Sequence, residues 1–167
     1  MLHLIPTGLH RALYRIAFRV RGWFRRTFKI PIFGVSAVLR DEQGRVLLVR
    51  HSYGVAAWSL PGGGHGKNED PADAVRRELR EELSLEIEDL ERLATINETL
   101  SSAPHSSVLF AGIAVGEPTP DGREVIAAEF FALDKLPVLL PQPTQIRLGI
   151  WQAALDHKKK ASQSKES

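Results

Sequence analysis

Glu78, Glu81 and Glu82 stand at i, i+3 and i+4 in the stretch LPGGGHGKNEDPADAVRRELREELSL, which runs from Leu60 to Leu85. On a helix this spacing brings all three side chains out on one face, about 5–6 Å apart at Cβ. Like charges so placed destabilise a helix by about 0.2–0.5 kcal/mol per pair, so something must offset them. Arg77 and Arg80 can do part of this through local ion pairs, which would make the string an ordinary solvated face. A hard divalent cation, Mg²⁺ or Mn²⁺, would do it through carboxylate oxygens. The three glycines Gly62–Gly64 favour the cation, because backbone without side chains can approach a ligand closely. They also precede a helix whose N-terminus carries partial positive charge. A turn of this kind beside a carboxylate cluster brings phosphate oxygens and a bridging metal together.

The elements that must position these groups are readable on either side. Asp70 suits an N-cap, Pro71 the first helical position and Asp73 the first turn. Ala72, Val75, Leu79 and Leu83 supply the buried stripe. Upstream, the valine-rich runs Phe33–Leu39 and Val46–Val49 flank Asp41–Gly44 and read as strand, turn and strand. Ser52–Asn68 is Gly-rich, contains Pro61 and reads as a loop. Downstream, Val108–Val115 and Val125–Leu133 read as strands. Ile146, Ile150, Ala153 and Ala154 mark a last helix beginning after Pro143. Beyond His157 the tail is polar and expected to be disordered. The mixture indicates an α/β or α+β sandwich.

At this point the chain resembles a known family. Gly63, Glu69, Arg77, Glu78, Leu79, Glu81, Glu82 and Leu85 fall at the spacings of the Nudix signature GX5EX7REUXEEXGU, U being aliphatic. One position departs: Ser84 stands where the signature has glycine. If the helix ends there in a left-handed conformation, the side chain costs about 1–2 kcal/mol and leaves the carboxylates untouched. The resemblance extends from about Val35 to Pro137. It implies an α/β/α sandwich around a mixed sheet and Mg²⁺-dependent hydrolysis, with Mn²⁺ as a substitute, of a nucleoside diphosphate linked to another group. It further implies Glu78, Glu81 and Glu82 as metal-binding carboxylates, with the carbonyl of Gly63 in the same shell. Arg77 would orient a carboxylate by pairing with Glu69. A carboxylate must also serve as general base: Glu78 within the box, or Glu124, Glu98 or Glu129 outside it, with Glu124 the best placed of the last three. Arg50, His51, Tyr53, Trp58 and His105 are candidates to line a substrate pocket, although Trp58 also suits a core position. Asn97–Ser102 contains neither the proline of ADP-ribose-cleaving subfamilies nor the tyrosine of those acting on dinucleoside polyphosphates. The alternatives to a diphosphate hydrolase are a non-catalytic nucleotide-binding or regulatory module on the same fold, and a membrane-surface hydrolase of a lipid- or sugar-linked diphosphate.

Composition bounds these readings. The 167 residues are 43% hydrophobic and 25% charged, as in globular proteins, and suit one domain. The absence of cysteine excludes disulfides, thiolate metal sites and a cysteine nucleophile. No stretch approaches the roughly 20 apolar residues of a membrane-spanning helix. Charge is unevenly placed: eight of the 22 basic residues and none of the 20 acidic ones lie in residues 1–40, leaving 14 basic against 20 acidic in the remainder. Within residues 1–31, Leu9, Ala12, Leu13, Ile16, Ala17, Val20, Trp23 and Phe24 recur at helical spacing opposite arginines, which predicts a basic amphipathic helix. Such a helix suits packing on its own domain or on a second copy in a homodimer. Less favoured is an anionic membrane surface engaged through residues 8–29. An organelle-targeting peptide is a third reading, and nucleic acid the least favoured. The expected organisation is an extension over 1–31, the hydrolase domain over 32–157 and a tail over 158–167, in a cytoplasmic protein with membrane attachment or organelle targeting as alternatives.

Overall fold

The described residues open with strand β1, Ile32–Arg40, in which Ile32, Val35 and Val38 favour extended backbone. In the computed structural model, which describes residues 32–54, 56–100 and 103–164, β1 is followed by β2 (Val46–His51), helix α1 (Pro71–Leu83), β3 (Glu86–Leu100), β4 (Ala103–Val115) and β5 (Val125–Phe131). A short 3₁₀ turn (Leu133–Lys135) and helix α2 (Gln142–Gln163) complete it. The expected amphipathic helix of residues 1–31 lies outside the described residues.

The strands form one mixed sheet in the order β3-β4-β1-β2-β5. β1 runs parallel to β4 with Gly34 beside Ser107. The other neighbours are antiparallel. Alternation along each strand divides the core into two layers. Val35, Ala37, Leu39, Leu47 and Val49 face α1, where they meet Val75, Leu79 and Leu83. Val38, Val46, Leu48, Leu109 and Ala111 face α2 and pack on Leu148 and Trp151. A helix on each side of the sheet is the α/β/α sandwich expected from the sequence.

Asp70 caps α1 as anticipated, accepting the amide of Ala72 at 2.7 Å, with Pro71 at the helix start. The other end is formed by Ser84 in the left-handed region, φ 54° and ψ 33°. Its amide bonds Arg80 O, and the Leu85 amide reaches Leu79 O. Ser84→Gly should therefore stabilise the fold by about 1 kcal/mol and raise Tm by roughly 2–4 °C without changing activity. Thermal unfolding measured beside turnover checks both parts.

Three elements depart from expectation. β3 is a long strand where none was anticipated. β4 begins at Ala103, well before Val108. α2 buries Thr144, Arg147, Leu148 and Trp151 rather than the predicted stripe, leaving Ile146 and Ala153 exposed. The tail expected to be disordered continues α2 to Gln163, helped by an ion pair from Lys158 to Glu91 on β3. Among the described residues no helix is long and apolar enough to cross a membrane.

Candidate active site

The segment 59–65 wedges between β1 and β2, which pair with each other only near Arg40 and Val46. Ser59 exchanges both backbone hydrogen bonds with Val49, and Gly63 does so with Val35. The Ala37 amide donates to Pro61 O and the His65 amide to Phe33 O. This fixes the glycine run as a wall facing α1. A Cβ on Gly62, whose φ is +146°, would lie 2.2 Å from Val35 O. A Cβ on Gly63 would lie 2.4 Å from the carboxylate carbon of Glu78. Both positions therefore exclude a side chain, the second because Glu78 occupies the space.

Arg77 organises the acidic ridge of α1. Its Nε donates to Glu69 Oε1 at 2.9 Å, and Nη1 donates to Glu78 Oε1 at 2.9 Å and to Glu81 Oε2 at 3.3 Å. Nη2 reaches Gly64 O at 3.2 Å. The Arg77–Glu69 pairing expected from the motif is thus present, and a hydrogen bond from the Gly66 amide holds the other oxygen of Glu69. The guanidinium draws the Glu69 carboxyl below its ordinary pKa, with the Gly66 amide adding to the effect.

The three glutamates are not equivalent. Glu82 is buried, 6% exposed. Burial first, then the charges of Glu78, Glu124, Asp121 and Glu81, push its pKa from 4.5 to about 9. Glu78 is also raised by burial, against the pull of Arg77. Glu81 is turned outward, its side chain 61% exposed. Among the described residues no three acidic or histidine side chains are gathered in a ready-made ion-holding arrangement. What the site does hold is a group of hard oxygen donors in which ionising Glu82 is disfavoured unless a cation joins it. That donor set fits Mg²⁺ or Mn²⁺.

Glu124 joins this cluster from the loop before β5. The Tyr53 hydroxyl donates to its Oε2 at 3.2 Å. Burial and the neighbouring carboxylates raise the Tyr53 pKa, so the phenol stays protonated. The His51 ring lies 5.3 Å from that of Tyr53, and its Nδ1 is buried without a hydrogen-bond partner among the described residues. Burial lowers the His51 pKa despite Glu124 and Asp121, which keeps the ring neutral near pH 7.

Strand parity removes the other general-base candidates from the cluster. Glu98 lies on the α2 side, bound to Arg147 at 2.8 Å and His105 at 3.1 Å. Burial raises its pKa, but the two partners outweigh this and leave it below the ordinary value. Glu129 is exposed on edge strand β5, between Ala128 and Phe130, which face α1. Of the substrate-side candidates, His51 and Tyr53 reach the cluster, whereas Arg50 and Trp58 do not. Trp58 packs edge-on against Phe131 in the α2-side core, with the Arg50 guanidinium 5.7 Å from its ring centre. The Gly63 carbonyl accepts the Val35 amide at 2.9 Å and keeps a second lone pair, and Gly64 O accepts Arg77. Of the three glycine carbonyls, that of Gly62 accepts no hydrogen bond among the described residues.

Asp121 was not anticipated, although its Asp-Gly pair signals a turn. Its amide donates to Glu82 O at 2.8 Å, docking the loop on the end of α1. Its Oδ1 accepts the amides of Arg123, Glu124 and Val125 at 3.0–3.1 Å. Asp121→Ala strands these donors and should cost about 1–3 kcal/mol in denaturant unfolding, with a fall in kcat as Glu124 loses its place.

Comparison with known proteins agrees with this geometry. A family model described as NUDIX domain matches residues 31–151. An RNA pyrophosphohydrolase of Saccharophagus degradans is 46% identical over 59 residues, covering 35% of each chain. The chain thus spans about a third of the length of the curated relatives it matches. The crystal structure of a MutT NUDIX hydrolase from Burkholderia pseudomallei is 28% identical, covers 72% of this chain and 97% of its own, and superposes with a TM-score of 0.65. An ADP-ribose pyrophosphatase from Streptococcus suis is 27% identical over 75% of this chain and 92% of its own, with a TM-score of 0.60.

Proposed function

The chain belongs to the NUDIX domain family, and from that membership we propose that it hydrolyses the diphosphate bond of a nucleoside diphosphate linked to another group, using Mg²⁺ or, in its place, Mn²⁺. The observation that carries this reading is the pair Glu78 and Glu82, a half-buried and a buried carboxylate on one ridge of α1 set against a glycine wall. Burying like charges together is unfavourable unless a cation joins them.

Glu78 and Glu82 would hold the metal, with Glu81, Glu124 and a carbonyl of the glycine loop as further oxygen donors. When bound, the metal polarises phosphate oxygens and lowers the pKa of a coordinated water. The remaining work falls to the chain. Arg77 fixes the rotamer of Glu78 and supplies positive charge beside the diphosphate. The Gly62–Gly64 wall lets the diphosphate approach the ridge without steric hindrance. Glu124 is the group proposed to accept the proton of the attacking water. It lies within the cluster without an ion pair among the described residues, and the Tyr53 hydroxyl orients it. Neutral His51 closes this side of the site against bulk water.

The test is a screen of the full chain with Mg²⁺ over nucleoside diphosphate sugars, dinucleoside polyphosphates, nucleoside triphosphates and 5′-triphosphorylated RNA, with products identified. Turnover of at least one class at the diphosphate, lost with EDTA and restored by Mg²⁺, is the expected outcome. Tight nucleotide binding with no product from any class would replace the hydrolase by a binding module.

A further inference from the structure

Val138 and Leu139 stand 97% and 83% exposed, side by side in the loop that leads into α2. Their neighbours are held in place. Leu136 and Leu140 pack against the α2-side core, and Gln145 Nε2 donates to Leu140 O at 2.7 Å. Pro137 and Pro141 fix the backbone φ on either side. The fold thus holds two adjacent aliphatic side chains out into solvent on an anchored base. Single exposed apolar residues need no explanation, but a held pair does when a second apolar element starts beside it.

That second element is the sequence that enters β1. Ile32 lies beside His105 of β4, and His105 lines one cleft with Pro143 and Thr144 of α2. The start of β1 and the loop before α2 therefore share one end of the fold. Only Ile30 and Pro31 separate Lys29 from β1, about 11 Å at most. Residues 8–29 hold seven basic side chains and no acidic one, with Leu13, Ile16, Val20, Trp23 and Phe24 at helical spacing. We propose that this end of the molecule docks on an anionic lipid surface, with residues 8–29 in the headgroup layer and Val138 and Leu139 inserted beside them.

Charge selects this occupant over the others. A helix packed on its own domain or on a second copy turns its polar side to water, where both signs are tolerated. Leaving out every Asp and Glu has a purpose against negative charge, which attracts each Lys or Arg near a lipid surface. A nucleic-acid backbone would attract the same arginines but offers nothing to Val138 and Leu139. Beside the loop, Asp134 and Lys135 cancel, so the aliphatic pair meets no net repulsion. Beyond residue 40 the chain holds 14 basic against 20 acidic residues, so an anionic surface repels the rest of the body. Attachment is thereby confined to this end.

The experiment floats the full chain with vesicles of phosphatidylcholine alone and of phosphatidylcholine mixed with phosphatidylglycerol, at low and high salt. Binding to the mixed vesicles only, weakened by salt, is the expected result. Arg15→Gln together with Arg19→Gln should weaken it about 5-fold for each charge removed. Val138→Ser together with Leu139→Ser should weaken it about 10-fold or more. Tm should not fall in the loop variant, because both side chains touch little of the protein. The natural chain compared across lipids and salts needs no substitution, so it reads the attraction even if a variant misfolds. Indifference to anionic vesicles would overturn the inference, as would binding unchanged by the loop substitutions or a preference for RNA over vesicles in competition. A dimer that the loop substitutions dissociate would overturn it too, assigning the patch to a second copy. Turnover of soluble diphosphates is measured separately, so this inference and the hydrolase reading stand or fall independently.

Discussion

Glu82→Gln is expected to abolish Mg²⁺-dependent turnover, by about 10³-fold in kcat, and at the same time to make the metal-free protein more stable. The two effects have one cause. The carboxylate is buried among Glu78, Glu124 and Asp121, and its pKa stands near 9 rather than 4.5. A group whose folded-state pKa lies above its unfolded value contributes stability that is fully present below the unfolded pKa. That contribution is lost as pH rises through the folded one. For Glu82 the window runs from about pH 4.5 to about pH 9. Glutamine does not titrate, so the variant escapes this loss. Its Tm should exceed the natural chain's by an amount that grows across this window, reaching roughly 5–10 °C, or a few kcal/mol, at the alkaline end. Mg²⁺ should raise the natural chain's Tm there and do little for the variant. Thermal scans at several pH values, with and without Mg²⁺, read all of this. Full activity in Glu82→Gln would remove the carboxylate ridge from the mechanism.

Gly63→Ala should also damage turnover, with little harm to the fold. The new Cβ would stand 2.4 Å from the Glu78 carboxylate carbon, the mobile end of a flexible side chain. Glu78 would swing off the ridge and break its bond to Arg77, while β1 and its pairing remain. A displacement of about 1 Å at a reacting group costs about 10²-fold, and a loss of that size or greater in kcat is expected. Gly62→Ala is the informative contrast. There the clash is with Val35 O at 2.2 Å, and the φ of +146° strains any side chain. It should lower Tm as well as activity. Parallel kinetics and unfolding separate the two glycines; if Gly63→Ala loses stability and keeps kcat, Glu78 does not depend on that space.

The box was legible because its chemistry is local. Asp70, Pro71 and the 3–4 spacing of Val75, Leu79 and Leu83 fix a helix, and that helix fixes which face carries the glutamates. β1 and β2 were equally plain, being valine-rich on both faces as interior strands are. β3 was hidden. As an edge strand it tolerates charge, and the bulges between Glu88 and Glu91 and between Arg92 and Ala94, with Asp89 at φ 48°, break the alternation that betrays a strand. α2 misled for the opposite reason. Its buried side includes the polar residues Thr144 and Arg147, so apolar spacing pointed to Ile146 instead. Glu98 and Glu129 could be judged only once strand parity was known, because the same residue type on the opposite face of a sheet serves a different end.

The wedge of 59–65 between β1 and β2 bears on how the site moves. Its amides at Ser59, Gly63 and His65 are bonded to sheet strands, and those of Val35, Ala37 and Val49 are bonded to it. Their exchange with deuterium should be as slow as that of the central strands, since releasing them requires prying two strands apart. The glycine run is therefore no flap that opens for each substrate. Whatever gating accompanies a catalytic cycle must come from elsewhere along the rim, and the wall is a fixed datum against which the carboxylate ridge is held.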